Sequence, residues 1–283
     1  MSGIEFTKMH GLGNDYHFID CSRFTIDDPA ALSRQMSHRH LGVGSDGIIL
    51  IMPGEAHDFK MRIFNADGSE AETCGNGIRC FAKYVYERGM TAKTEFVIET
   101  GGGPNGVVLN VVEGVVETVR SNMGQPKFER GKIPMVGAPG EVKEEALEVD
   151  GETYEVTCAN IGNPHAVVFV DGASDEELVN LVLTVGPKIE QHPSFPERTN
   201  VEFVNVLDRD NIVMRIWERG SGMTMASGSG SCGASLASMI TDRVNRKVNV
   251  HLVFGTLCIE WAEDGCVYQD GPATDVFTGV WPE

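Results

Sequence analysis

Met61-Arg62-Ile63-Phe64, followed thirteen residues after its methionine by Cys74-Gly75-Asn76-Gly77, decides the fold because the chain carries it twice. Met214-Arg215-Ile216-Trp217 stands 153 residues later, and Ser227-Gly228-Ser229-Gly230 follows it at the same spacing, with no gap. One tetrapeptide match can arise by chance. A second match in register indicates an internal duplication. The two halves also open alike. Gly13-Asn14 leads into Asp15-Tyr16-His17-Phe18-Ile19-Asp20, and Gly162-Asn163 leads into Pro164-His165-Ala166-Val167-Val168-Phe169-Val170-Asp171. Each is a Gly-Asn turn beside a strand-like run. Two similar domains are therefore expected, residues 1–120 carrying Cys74 and residues 121–270 carrying Ser227. The tail 271–283 is a candidate to return to the first domain.

Short strands dominate both halves. Val107-Val108-Leu109-Asn110-Val111-Val112, Lys247-Val248-Asn249-Val250-His251-Leu252-Val253 and Leu257-Cys258-Ile259-Glu260-Trp261 have the β-branched content of strands. Each half also shows one clear helix. The first runs from about Asn76 to Glu87 and stops at Gly89. Its apolar stripe of Ile78, Phe81, Ala82 and Val85 has helical spacing. The second runs from about Ser229 to Arg243 and is apolar or small on most faces, so it is expected to be buried. One buried helix among many strands per domain is an α+β arrangement.

Composition excludes several classes. The chain has 283 residues, 41% apolar and 23% charged, which is the balance of a globular protein rather than a disordered one. The longest apolar runs, such as Ile48-Ile49-Leu50-Ile51-Met52, fall far short of the roughly 20 residues of a membrane span. The N-terminus lacks a basic region followed by an apolar core, so a cytoplasmic location is the default. A net charge of −18 argues against a nucleic-acid partner. The stretch Gly140-Glu141-Val142-Lys143-Glu144-Glu145 reads as solvated surface. Seven cysteines with no Cys-x-x-Cys pair make neither a disulfide framework nor a structural zinc site. Any one of them reads as a small buried residue, with Cys74 the exception.

The glycine turns carry the chemistry. Around Glu72-Thr73-Cys74-Gly75-Asn76-Gly77-Ile78 the chain passes from strand to helix, and glycine permits the tight turn. Cys74 is then placed at a helix N-terminus, where unpaired N–H groups and the helix dipole favour an anion. Two consequences are expected. The thiol of Cys74 should ionise below its ordinary value of about 8.5, and a ligand carboxylate can be held by N–H groups around Gly75 and Asn76. The duplicate offers the same at Gly228 and Ser229. With both turns addressing one cleft between the domains, Cys74 and Ser227 would lie on opposite faces of an amino acid's α-carbon. Two-base racemisation requires that layout, and the helix ends would stabilise charge building on the carboxylate. No lysine follows either turn as in a phosphate-binding loop, and a dinucleotide fingerprint is lacking. The competing reading is that both turns are only helix caps.

Met9-His10-Gly11-Leu12-Gly13-Asn14-Asp15-Tyr16, Phe64-Asn65-Ala66-Asp67-Gly68-Ser69-Glu70, Cys74-Gly75-Asn76-Gly77-Ile78-Arg79-Cys80, Gly162-Asn163-Pro164-His165, Arg198-Thr199-Asn200-Val201 and Trp217-Glu218-Arg219-Gly220 together resemble the motifs of the diaminopimelate epimerase family. They occur in family order and span nearly the whole chain. The resemblance implies two pseudo-symmetric domains, each a mixed β-sheet rolled around a central helix, commonly paired as a homodimer. It implies interconversion of LL- and meso-diaminopimelate for lysine and cell-wall synthesis, with no pyridoxal phosphate, other cofactor or metal. It implies that Asn14, Asn65, Asn163, Asn200, Glu218 and Arg219 hold the substrate. Arg219 would offer a planar fork to the distal carboxylate, and Glu218 and amide oxygens would accept from the ammonium. Read singly, an asparagine in a turn is structural and a surface Glu-Arg pair contributes little. His10 and His165 are expected to orient loops through hydrogen bonds rather than to catalyse.

The chain departs from the family in one place that matters. A second catalytic cysteine is expected after Ala226, and Ser227 stands there, with Ser229 where threonine is common and Met223 where glutamate is frequent. A hydroxyl is a far weaker acid than a thiol. Three accounts of Ser227 remain open on sequence. It was introduced to trap an inactive enzyme, it belongs to a natural variant that works slowly, or it marks a one-base reaction such as the dehydration run by proline-racemase relatives with a Cys–Thr pair. A racemase of another amino acid such as histidine, and a catalytically dead amino-acid-binding protein, stand as the alternative functions.

Overall fold

The computed structural model describes residues 3–282. The chain divides into two units, one formed by residues up to 122 with those from 270 onward, the other by residues 123–269.

In the first unit β1 (Gly3–Gly11) and β2 (Asn14–Asp20) form a hairpin across Leu12 and Gly13, both at positive φ. Glycine takes that conformation freely. Then come α1 (Pro29–Ser37), β3 (Gly47–Pro53), β4 (Phe59–Asn65), the short β5 (Glu70–Ala71), α2 (Gly75–Glu87), β6 (Glu95–Thr100), β7 (Gly103–Val112) and β8 (Val115–Gly124). Strands β2 and β3 are parallel and joined through α1; β4 and β6 are parallel and joined through α2. Parallel neighbours need such crossovers. The second unit contains β9 (Glu145–Val149), β10 (Glu152–Asn160), β11 (Pro164–Phe169), α3 (Asp175–Thr184), α4 (Gly186–Glu190), β12 (Asn200–Asp208), β13 (Asn211–Glu218), β14 (Gly222–Thr224), α5 (Gly228–Ile240), β15 (Lys247–Leu252), β16 (Gly255–Trp261) and the first three residues of β17 (Val267–Gly271). The last strand, β18 (Thr274–Pro282), pairs antiparallel with β1.

The duplication is visible in the pairing pattern. Parallel β2–β3, antiparallel β3–β4, parallel β4–β6 and antiparallel β6–β7 are matched by β11–β12, β12–β13, β13–β15 and β15–β16 in the same senses. The sheets are mixed and the class is α+β, as the sequence indicated. In the first unit α2 packs Ile78, Phe81, Ala82 and Val85 against Phe18, Ile49, Met61, Ile63 and Phe96. Helix α5 buries nearly every residue from Ser231 to Ser238, so its expected burial holds. It ends at Ile240 rather than Arg243, and both helices begin one residue earlier than expected.

Among the described residues three α-helices lie beyond the one expected per half. Helix α1 starts from Asp28, whose side chain accepts from Ala31 N at 2.9 Å, with Pro29 in the first turn. Helix α3 starts with a capping box in which Ser174 and Glu177 satisfy each other's backbone N–H groups. Both signals are local, and the stronger motifs of the glycine turns overshadowed them. Two smaller expectations change as well. Val142 in the supposed solvated stretch is fully buried in the second unit's core. Cys80, Cys158 and Cys232 are buried, whereas Cys21, Cys258 and Cys266 are half-buried. Burial pushes the Cys80 thiol up to about 12 and that of Cys21 to about 11, which leaves both inert at neutral pH.

Candidate active site

Each glycine turn is a helix cap with the same geometry. Cys74 precedes α2 with φ −151° and ψ 111°, and its Sγ accepts from Gly77 N at 3.4 Å. Ser227 precedes α5 with φ −130° and ψ 122°, and its Oγ accepts from Gly230 N at 3.2 Å. Serine is an ordinary N-cap and cysteine is not a favoured one, so capping alone explains Ser227 but leaves Cys74 unexplained. The third helical residue is glycine in both, closely faced by a strand isoleucine. A Cβ on Gly77 would lie 2.7 Å from Ile49 Cδ1, and one on Gly230 would lie 2.5 Å from Ile216 Cδ1. Strand side chains thus press each turn into place.

Around Cys74 the amides form a polarised chain. The fully buried Arg79 donates to Asn76 Oδ1 at 2.6 Å, Asn76 Nδ2 donates to Asn14 Oδ1 at 3.2 Å, and Asn14 Nδ2 donates to Asp46 Oδ2 at 2.7 Å. Arg39 holds the other oxygen of Asp46 at 2.8 Å. A cation at one end and a carboxylate at the other fix both amide orientations. Asn14 Oδ1 is thereby aimed at Cys74 Sγ, 3.5 Å away. The buried Tyr16 hydroxyl bonds Cys74 and Asn14, and burial, then Cys74, holds that phenol well above its ordinary value. Asn65 is engaged elsewhere, donating to Ser69 Oγ at 3.0 Å.

The second turn is built from different groups. Ser227 Oγ donates to Glu218 Oε2 at 3.1 Å, and Thr224 donates to the other oxygen of Glu218. Asn163 Nδ2 donates to Ser229 Oγ at 3.2 Å, while its Oδ1 lies 2.8 Å from His165 Nε2. His165 is fully buried and its Nδ1 lies 2.6 Å from Glu202 Oε1. Asn200 has both amide ends on the backbone: Oδ1 accepts from Arg219 N at 2.9 Å and Nδ2 donates to Pro164 O at 2.9 Å. The exposed Arg219 donates a guanidinium N–H to Glu197 O at 3.1 Å. Glu190, 3% exposed, accepts from Trp217 Nε1 and Gly220 N and so pins the turn that carries Glu218 and Arg219. His10 accepts from Gly13 N at 3.3 Å, which fits a loop-orienting role. Among the described residues no group of three or more His, Cys, Asp or Glu could hold a metal ion.

The ring of His165 occupies a space that a helix residue has vacated. A Cβ on Gly233 would lie 2.6 Å from His165 Cγ and 2.7 Å from its Cβ. Alanine favours a helix interior over glycine by about 1 kcal/mol, yet Gly233→Ala is expected to destabilise the protein by about 1–3 kcal/mol through overpacking. A shift of the urea midpoint to lower concentration would show it; a midpoint that rises would mean the ring moves aside freely.

Arg39, Asp46, Arg79, Glu190, Glu202 and Tyr16 were not among the expected site residues. Asp46 carried a faint signal, since it follows Gly44-Ser45 and precedes a strand as a turn aspartate does. Tyr16 and Arg79 stood inside the quoted motifs, close to Asn14 and Asn76, whereas Arg39, Glu190 and Glu202 had no local signal, because their contacts lie far along the chain.

The family model for Diaminopimelate epimerase matches residues 6–129 and 157–276. A diaminopimelate epimerase of Pelotomaculum thermopropionicum is 50% identical over 281 residues, covering 99% of both chains. This chain belongs to the diaminopimelate epimerase family. Another family relative, from Moorella thermoacetica, is 49% identical over 281 residues, again with 99% of each chain covered. Solved structures share the fold at low identity. A Bacillus anthracis phenazine biosynthesis protein of the PhzF family superposes with a TM-score of 0.71 at 17% identity, covering 99% of each chain. A hydroxyproline epimerase from Agrobacterium vitis does so with a TM-score of 0.67 at 15% identity, covering 98% of this chain and 92% of its own. The α+β architecture therefore extends well beyond the diaminopimelate epimerase family.

Proposed function

We propose that this protein interconverts LL- and meso-diaminopimelate by cofactor-free transfer of the α-proton, acting as a cytoplasmic homodimer. The observation that carries this reading is 50% identity over 281 residues to a relative named for that activity. The side chains support it. Asn14, Asn76 and Cys74 gather at one capped turn, and Asn163, Glu218, Ser227 and Ser229 gather at its duplicate.

In this reading N–H groups of Gly75, Asn76, Gly228 and Ser229 hold the carboxylate beside the reacting carbon, where helix dipoles stabilise developing negative charge. Cys74 removes or returns the proton on one face. Ser227 addresses the other face and does so poorly. Its single hydroxyl hydrogen is directed to Glu218, so it presents a lone pair rather than a proton, and an alcohol is far too weak an acid to alternate as a thiol does. Glu218 and Arg219 recognise the distal amino-acid group, joined by the amide hydrogens and lone pairs that Asn65 and Asn200 keep beyond their bonds to Ser69, Pro164 and Arg219 N.

Incubation with LL-diaminopimelate beside a panel of other amino acids, followed by chiral chromatography, tests the assignment. The expected product is the meso isomer alone. Ser227 favours one second reading, a one-base lyase or dehydratase at Cys74, and an unsaturated or keto product would establish it in place of epimerisation. Recognition of the distal carboxylate has its own test. Arg219→Lys is expected to weaken diaminopimelate binding roughly tenfold or more, because an ammonium cannot reproduce the bidentate fork. Unchanged affinity by calorimetry would remove Arg219 from the site.

A further inference from the structure

Glu202 is an unusual residue for the core of a strand. It lies on β12, two residues beyond Asn200, and is fully buried. Its Oε1 is 2.6 Å from His165 Nδ1, and its Oε2 is buried with no hydrogen-bond partner. The equivalent strand of the first unit carries Ile49 at the corresponding step, since Gly47 stands beside Tyr16 as Asn200 stands beside His165. A carboxyl group has thus taken an apolar position.

We propose that Glu202 is a positioning residue for the site: as a neutral acid it donates to His165 Nδ1, fixes the ring hydrogen on Nε2, and so locks the Asn163 amide with its carbonyl toward the ring and its NH2 toward Ser229 and the bound amino acid. The unpartnered Oε2 decides the protonation of Glu202. An ionised carboxylate with one dry, unpaired oxygen is among the costliest arrangements in a protein interior. A carboxylic acid leaves only a carbonyl oxygen unmatched, which is the cheaper orphan. Burial, the largest influence on this carboxyl, raises its acid dissociation range, His165 pulls the other way, and Glu218 adds to the rise.

The rest follows from donor and acceptor inventory. An imidazole that accepts at Nδ1 bears its hydrogen on Nε2. That hydrogen points at the Asn163 side chain 2.8 Å away, so the amide must present oxygen to it. The NH2 is then left for Ser229 Oγ at 3.2 Å, on the first turn of α5. Gly233 supplies the space in which the ring is held. The first unit fixes its turn asparagine in the opposite sense: Asp46 takes the NH2 of Asn14 and leaves the oxygen facing Cys74. One turn therefore presents an amide donor and the other an amide acceptor.

The proposal rests on Asn163 being a ligand residue of the proposed epimerase, and two readouts separate the failure of each. Full-length protein and the variants Glu202→Gln and Glu202→Leu are compared by thermal melting, by 15N spectra of histidine-labelled protein with the His165 signals assigned through His165→Gln, and by calorimetric titration with meso-diaminopimelate. Glutamine imitates the neutral acid by turning its NH2 to Nδ1. In the parent protein and in Glu202→Gln, Nε2 is expected to carry the hydrogen and the affinities to agree within about twofold. In Glu202→Leu the fold is expected to persist, the single tautomer to be lost, and binding to weaken about tenfold, the scale of one oriented hydrogen bond. Unchanged affinity and tautomer in Glu202→Leu would make Glu202 a filler of the core, and Glu202→Gln behaving like Glu202→Leu would mean that the charged form is required; either overturns the proposal. Absence of binding in every form overturns the functional reading instead, and the ring-nitrogen pattern then upholds or overturns the relay by itself.

Discussion

Replacing Ser227 by cysteine is expected to raise epimerase turnover by about 10²–10⁴-fold, the range attached to one general acid–base group. The cap geometry accepts the change, since Cys74 occupies the same backbone region before α2 and takes the same bond from the third helical N–H. The Glu218 carboxylate that now receives the Ser227 hydrogen at 3.1 Å would receive that of a thiol in the same way, and the helix N-terminus favours the thiolate once the proton leaves. The parent protein makes a complementary prediction in deuterium oxide. The stereoisomer whose α-proton faces Cys74 is deprotonated and gains deuterium with retention, provided the thiol exchanges with solvent before returning its proton. The stereoisomer whose α-proton faces Ser227 exchanges far more slowly. Mass spectrometry of each pure isomer reads the difference. Equal fast exchange of both would show that Ser227, or a water beside it, is a competent base, and the account of the serine given above would be wrong.

Cys74→Ala is expected to abolish proton transfer for both stereoisomers while the protein stays folded. Cys74 is half-exposed at the edge of its core, and loss of an N-cap side chain costs about 0.5–2 kcal/mol even for the strongest caps, so the helix survives. Cys74→Ser separates the two roles that the geometry gives this residue. A serine restores the cap but not a thiol, so melting temperature should recover and exchange should not. Full exchange in either variant would reduce Cys74 to a cap and remove the two-base reading with it.

The site was unevenly legible from sequence. Local chemistry announced Cys74, Asn76, Ser227 and Ser229, because a strand that turns into a helix within a few glycine-rich residues leaves a recognisable string. Glu218 and Arg219 were marked by their motif, although the motif did not show that Glu218 would be engaged with Ser227 and Thr224. Asn200 was marked as well, yet its amide is committed to Pro164 and Arg219. A motif names a residue without naming its neighbours.

By itself the sequence determined the duplication, the α+β class, the two capped turns and the family. Each of these is written in short-range order: spacing, periodicity and turn residues act within a few positions, and a repeat in register carries them from one half to the other. Only the tertiary structure decided how the site's amides are oriented. Asp46 reaches Asn14 across 32 residues and Glu202 reaches His165 across 37, each beside a parallel pair of strands joined by a helical crossover. In a strand a one-residue slip of register turns a side chain to the opposite face. Whether Glu202 meets a histidine or solvent is therefore fixed by which strands pair and in what register, and that is settled when the whole sheet closes on its helix.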